Sequence, residues 1–194
     1  MIKRICIYCA SSAQVHQKYF IATSEIADIL AENKIEVVFG GGAQGLMGCL
    51  ADRIVERGGR IIGVMPHFMR EVEWDHKQLN EVHFVDDMHS RKKKFLEDVD
   101  ALLALPGGCG TLEELLEAIT LKRLGQFTKP IIIFNLDGYY DPLLSMLDRC
   151  IAEKFMSEKH RHIWSVIDKP AQLIGAIANA PAWDSAAIHT AVLK

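Results

Sequence analysis

The stretch ALLALPGGCGTLEELLEAI, Ala101 to Ile119, decides the fold: an apolar run, a glycine turn, then apolar residues at helical spacing. Ala101 to Leu105 reads as a buried strand, and Leu112, Leu115, Leu116 and Ile119 recur with the period of a helix. The turn between them, PGGCGTLEE from Pro106 to Glu114, therefore joins a strand to a helix. Gly107, Gly108 and Gly110 let the backbone approach a ligand with no Cβ in the way. The first helical N–H groups beside them are unpaired and lie at the positive end of the helix dipole. Phosphate is the usual guest of such a cradle. Thr111 and Glu114 also satisfy the T-x-x-E capping box, so the same turn has a plain reading as a tight loop closed by a cap.

On either side of this unit, apolar runs alternate with helical patterns. The strands read as Arg4 to Tyr8, Glu36 to Phe39, Arg60 to Met65, Val82 to Val85, Ala101 to Leu105, Ile131 to Phe134 and Trp164 to Ile167. Between them run stripes such as Tyr19, Thr23, Ile26, Ala27 and Leu30, or Leu143, Leu144, Leu147 and Ile151. This alternation predicts an α/β fold, a Rossmann-like, doubly wound parallel sheet of about seven strands with helices on both faces. The 194 residues, 49% hydrophobic, suit one nucleotide-binding domain over 1–180, followed by a loosely held C-terminal tail over 181–194. In such sheets the ligand crevice lies beyond the carboxyl ends of the strands, where strand order reverses.

Composition excludes several functions. Lys+Arg 22 against Asp+Glu 25 gives a net charge of -3, so no broad nucleic-acid footprint is expected and an anionic ligand must be held by local groups. No stretch is long and apolar enough to span a bilayer, and the opening MIKRICIYCAS reads as a strand rather than a signal peptide, which predicts a cytoplasmic protein with no membrane partner. The five cysteines form an odd set with one CxxC, Cys6 and Cys9, inside an apolar run, where core packing is the expected role. The eight His residues show no metal-ligand spacing, and neither metal nor cofactor is expected.

A second glycine turn, GGGAQGLMG from Gly40 to Gly48, follows the strand at Glu36 to Phe39, and Gly40, Gly42 and Gly45 match GxGxxG. A dinucleotide site would also want an acidic residue at the end of the next strand, and that strand instead runs into Pro66 and His67. No lysine followed by Ser or Thr closes the turn, so it is not a nucleoside-triphosphate P-loop. It is either a loop that approaches a base or sugar, or plain strand-to-helix packing.

Met88 to Asp98 carries RKKK at Arg91 to Lys94, by default a solvated helix face. Periodicity sets Met88, Phe95 and Val99 as the inward stripe, with Arg91 and Lys92 on it and Lys93 and Lys94 turned outward. An arginine on an apolar stripe needs an anion, either a partner carboxylate in a structural ion pair or a ligand phosphate.

Together these segments resemble the LOG family of cytokinin-activating phosphoribohydrolases, long labelled "possible lysine decarboxylase". The resemblance rests on GGGxxGLMG at Gly40 to Gly48, MHxRK at Met88 to Lys92 and PGGxGTxxE at Pro106 to Glu114. A GSS-like start at Ala10, Ser11 and Ser12 and LGxxxKPI at Leu124 to Ile131 add to it. It implies hydrolysis of the N-glycosidic bond of a nucleoside 5′-monophosphate, a cytokinin riboside monophosphate or AMP, to free base and ribose 5-phosphate, in a homodimer. By the same resemblance Arg91 and Glu114 are catalytic. Substrate contacts fall on Glu73, Met88, Arg91, Lys92, Gly107, Gly108, Cys109, Gly110, Thr111, Leu112, Glu113, Glu114 and Thr120, with Ser11, Gly41 and Gly42 from the first two loops. Cys109 and Leu121 stand where relatives often carry aromatic residues, and both bear on the base pocket.

In chemical terms, the 5′-phosphate would dock on the helix start at Gly110 and Thr111. Glu114 would stabilise an oxocarbenium-like state and orient the attacking water. Arg91 stays charged, so its expected task is anion binding and positioning rather than proton donation. Two rivals share the cradle: a nucleotide-binding or carrier module without catalysis, and a dehydrogenase, which lacks its acidic ribose ligand. A decarboxylase is disfavoured because no lysine occupies a distinctive strand-end position for a pyridoxal cofactor.

Overall fold

The computed structural model describes residues 2–71 and 75–191. Seven parallel strands form one sheet: β1 (Arg4–Tyr8), β2 (Glu36–Phe39), β3 (Ile61–Pro66), β4 (Glu81–Val85), β5 (Ala101–Ala104), β6 (Ile131–Phe134) and β7 (Trp164–Ile167). Their order across the sheet is β4-β3-β2-β1-β5-β6-β7. The chain thus winds outward from β1 in one direction, returns to the middle, and winds outward from β5 in the other. The doubly wound parallel sheet expected from the alternating pattern is what the chain forms, and most strand limits agree to within a residue.

Among the described residues six α-helices cover the two faces: α1 (Gln17–Glu32), α2 (Gly45–Glu56), α3 (Met88–Phe95), α4 (Cys109–Arg123), α5 (Asp141–Ala152) and α6 (Leu173–Ala178). Alternation along each strand divides the core. Ile5 and Ile7 of β1 pack with Ile26 and Leu30 of α1, Leu50 and Ile54 of α2, and Leu173 and Ile177 of α6. Cys6 and Tyr8 point the other way, onto Phe95 of α3, Leu115 and Ile119 of α4, and Leu147 of α5. The central strands are apolar on both sides because both sides are covered. Each such fully buried Ile or Leu contributes roughly 1.5–3 kcal/mol, so this double core is the main source of stability. No helix among the described residues is long and apolar enough to cross a membrane.

Two expectations are corrected. Met88, set on the inward stripe of α3, is 36% exposed, and the stripe is carried by Arg91 and Phe95 instead. The stretch expected as a loose tail is docked over much of its described length: Trp183 Nε1 donates to the Lys122 carbonyl at 2.6 Å, and Ala187 and Ala191 are buried. The Trp183 ring also lies 5.8 Å from Lys122 Nζ, and Lys122 itself is buried. Burial pushes the Lys122 ammonium down to about 8.

Candidate functional site

β1 and β5 lie side by side where strand order reverses, with Tyr8 opposite Ala104. Leu105 N–H donates to the Tyr8 carbonyl at 2.9 Å, which aligns the carboxyl ends of the two strands. The loop after β1 and the glycine turn after β5 therefore leave the sheet together. Between them opens a cavity of about 280 Å³, lined by Cys9 to Ser12, Gly40, Met47, Arg91, Phe95, Gly108 to Thr111 and Glu114, with Ile7 and Tyr8 at its floor.

The start of α4 forms one wall. Its N-cap is Gly108, which makes no side-chain cap, and the helix begins at Cys109. Thr111 and Glu114 therefore lie within the first two turns, and the capping-box reading of Thr111 is overturned. Three glycines act in two ways. A Cβ on Gly107 would stand 2.1 Å from Thr111 Oγ1, so Gly107 is required by the protein's own packing. A Cβ on Gly108 or Gly110 would meet nothing within 4 Å, so at these two cavity-lining positions the bare backbone is open to a second molecule. The carbonyl side of the turn is tied down by two side chains that sequence reasoning missed: Tyr139 Oη donates to Gly107 O at 2.7 Å and Tyr140 Oη to Leu105 O at 2.7 Å.

The opposite wall is Arg91, 5% exposed. Its Nε donates to Val64 O and its Nη2 to Gly40 O, both at 3.1 Å, while its Nη1 lies 3.7 Å from Met69 Sδ. The guanidinium carbon sits 5.1 Å from the centre of the Phe95 ring. The sequence pattern asks for a carboxylate or a phosphate beside this arginine. Backbone carbonyls within β3 and just after β2 supply part of that partnership, and they hold the guanidinium where it lines the cavity.

The GGG turn serves mostly as scaffold. Leu46 and Met47 N–H groups, at the start of α2, both donate to Ala10 O, so this helix end is satisfied from within. Gly45 has φ +59, and a Cβ there would fall 2.5 Å from the Ser11 and Ser12 carbonyl oxygens. Gly41 and Gly42 face the segment after residue 74: His76 N–H donates to Gly41 O at 3.1 Å and Gly42 bridges Asp75. His76, buried, also pairs with Asp52 at 2.9 Å.

The structure thus gathers Ser11, Arg91, Gly108, Cys109, Gly110, Thr111 and Glu114 on one cavity, with Gly107 behind them. The remaining expected contacts lie elsewhere or beyond view. Lys92 Nζ of α3 is held by Glu113 at 2.6 Å and Glu117 at 2.7 Å, both of α4, and does not line the cavity. Thr120 is exposed and its Oγ1 donates to Leu116 O; Leu112 packs against the core from the side of α4. Glu73 lies outside the described residues. Electrostatics set the thiols beside the cavity: burial first, then the negative charge of Glu114, pushes Cys6 and Cys9 well above the ordinary thiol range. Both shifts favour the protonated thiol over the thiolate.

Residues 47–177 match the family model described as "Possible lysine decarboxylase". The chain is 44% identical over 161 residues to the cytokinin riboside 5′-monophosphate phosphoribohydrolase LOG1 of Arabidopsis thaliana, covering 83% of this chain and 76% of that protein. It is 41% identical over 172 residues to the probable cytokinin riboside 5′-monophosphate phosphoribohydrolase LOGL6 of Oryza sativa subsp. japonica, covering 89% and 69%. Among solved structures it is similar to the molybdenum cofactor carrier protein of Chlamydomonas reinhardtii, with a TM-score of 0.70, 18% identity, and coverage of 93% of this chain and 98% of that one. The molybdenum cofactor binding protein of Rippkaea orientalis gives a TM-score of 0.69 at 18% identity, covering 92% and 96%. At that identity the shared feature is the fold.

Proposed function

The chain belongs to the possible lysine decarboxylase family, in which its near relatives are named as phosphoribohydrolases, and from that premise we propose that it hydrolyses the N-glycosidic bond of nucleoside 5′-monophosphates. The products are the free base and ribose 5-phosphate, and the substrates are cytokinin riboside monophosphates, AMP, or both. The observation that carries this reading is that Arg91 and Glu114, far apart in sequence, meet the open start of α4 on one cavity at the switch point of the sheet.

The 5′-phosphate docks on the N–H groups of Gly110 and Thr111 at the helix start, where the dipole favours negative charge. This fixes the ribose over Glu114. As the bond to the base lengthens, C1′ gains positive charge, which the Glu114 carboxylate stabilises while it orients and deprotonates the attacking water; the departing base takes its proton from solvent water, to which Glu114 returns the one it accepted. Arg91 remains charged throughout; its two carbonyl bonds fix it as a positioning group and an anion contact. Cys109, exposed at the first turn of α4, stands where it can shape the base pocket.

The protein acts as a cytoplasmic homodimer. The exposed Met88 and Leu116, with Thr120, offer a face on α3 and α4 for a second copy, and the free cysteines suit a reducing compartment. A panel of nucleoside monophosphates, with the corresponding nucleosides as controls, tests the activity by chromatography of the released base. Release from AMP or a cytokinin riboside monophosphate, with little from the nucleosides, is the expected result. Tight binding with no free base would make the protein a carrier.

A further inference from the structure

We propose that Tyr139 is a positioning residue for the phosphate cradle: its hydroxyl selects the orientation of the Gly107–Gly108 peptide and so aims the Gly108 N–H at the ligand. The inference rests on the cradle reading above and concerns a residue outside the cavity. A glycine-glycine peptide is the least constrained link in a chain, since neither side has a Cβ to bar a flip of its plane. Here the plane is held from one edge. Tyr139 Oη donates to Gly107 O at 2.7 Å. In a trans peptide the C=O and the following N–H point in opposite directions, and the described chain has no cis peptide. Fixing Gly107 O toward Tyr139 therefore turns the Gly108 N–H away from it, and Gly108 lines the cavity whereas Tyr139 does not. Gly108 is the N-cap of α4, so this N–H stands outside the helical bonding pattern.

The tyrosine is itself held in place. After β6, Asn135 accepts from Tyr140 N–H at 2.6 Å and donates to Asp141 at 2.7 Å, closing the turn that presents both rings. Tyr139 packs edge-on against Tyr140, with centroids 5.0 Å apart, and against Tyr19 of α1 at 5.8 Å. Tyr140 makes the matching bond two peptide units earlier in the turn, to Leu105 O. That peptide ends on the nitrogen of Pro106, which carries no hydrogen, so it aims no donor at a ligand. Two adjacent tyrosines thus make like bonds, and only one of them controls a donor.

The pair supplies its own control. We expect Tyr139→Phe to raise KM for AMP roughly three- to ten-fold with kcat changed less than two-fold, because a phosphate contact made in both ground and transition states is weakened. The dissociation constants of inorganic phosphate and ribose 5-phosphate, measured by calorimetry, should rise by the same factor. Tyr140→Phe should lower the melting temperature and leave KM and phosphate affinity unchanged. If wild type binds phosphate and Tyr139→Phe binds it equally well, or if Tyr140→Phe weakens it as much, the inference is overturned and the cradle reading stands. If wild-type protein binds neither phosphate nor AMP, both fall.

Discussion

Gly40 and Arg91 touch with no room between them: the Gly40 carbonyl accepts from Arg91 Nη2 at 3.1 Å, and a Cβ on Gly40 would stand 2.7 Å from that same nitrogen. The second glycine turn therefore serves the site through steric room for a side chain of the protein. Gly40→Ala should displace the guanidinium and lower kcat/KM for AMP about 10- to 100-fold, since a small misplacement of a positioning group is expensive. Arg91→Ala should lose about 10²–10⁴-fold and also cost about 1–3 kcal/mol of stability by removing a donor from two buried carbonyls. Because both act through one contact, the double variant should be no slower than Arg91→Ala alone; additive losses would separate the two residues.

The capping box suggested by Thr111 and Glu114 is not the start of α4, which begins at Cys109 with Gly108 as its cap. Glu114→Gln should fold with a melting temperature within a few degrees of wild type and lose about 10²–10⁴-fold in hydrolysis of AMP. A folded variant that releases adenine at the wild-type rate would remove Glu114 from the chemistry.

The buried Lys122 ammonium, with its pKa near 8 against an ordinary value of 10.5, gives a pH signature with a definite sign. Below pH 8 both folded and unfolded chains carry the proton, and the folded state bears the burial cost in full. Between pH 8 and about 10.5 only the unfolded chain keeps it, so this one group favours folding more as pH rises. Cys6, Cys9, Tyr8 and Tyr140, all pushed up by burial, act oppositely, because the unfolded chain loses their protons first. Comparing variants isolates the lysine. Lys122→Met should be about 1–2 kcal/mol more stable than wild type at pH 7, and the advantage should shrink by pH 10 in thermal melts.

Docking of the C-terminal stretch should be visible in stability and silent in catalysis. Trp183 covers Lys122, its Nε1 holds the Lys122 carbonyl, and no described residue beyond 180 lines the cavity. Trp183→Ala should cost about 1–3 kcal/mol in denaturant unfolding with kcat/KM unchanged. An unchanged midpoint would show that the stretch is held only loosely.

Much of the fold was legible because strands buried on both faces announce themselves as apolar runs, and β1, β2, β6 and β7 run between the very residues the sequence suggested. The site was legible in part. Arg91 stood out because a charge on an apolar stripe is conspicuous, although Met88, used to set that stripe, is exposed. The capping-box reading sets the cap of α4 at Thr111, three residues past Gly108: a glycine cap leaves no side-chain signature, whereas Thr111 and Glu114 mimic one. The tyrosine clamp was invisible for a related reason. Tyr139 and Tyr140 act on backbone oxygens, and a carbonyl gives no clue in the sequence to what will bind it.

The side-by-side placement of β1 and β5 also governs when the site can exist. The loop after Tyr8 and the turn after Ala104 become neighbours only once the intervening chain has folded back on itself, which is a closure of high sequence separation. Helices and outer strand pairs can form before that closure; the cavity cannot. Competence is thus a property of the fully closed chain, and a fragment or a partly folded intermediate holds every motif of the site without holding a site.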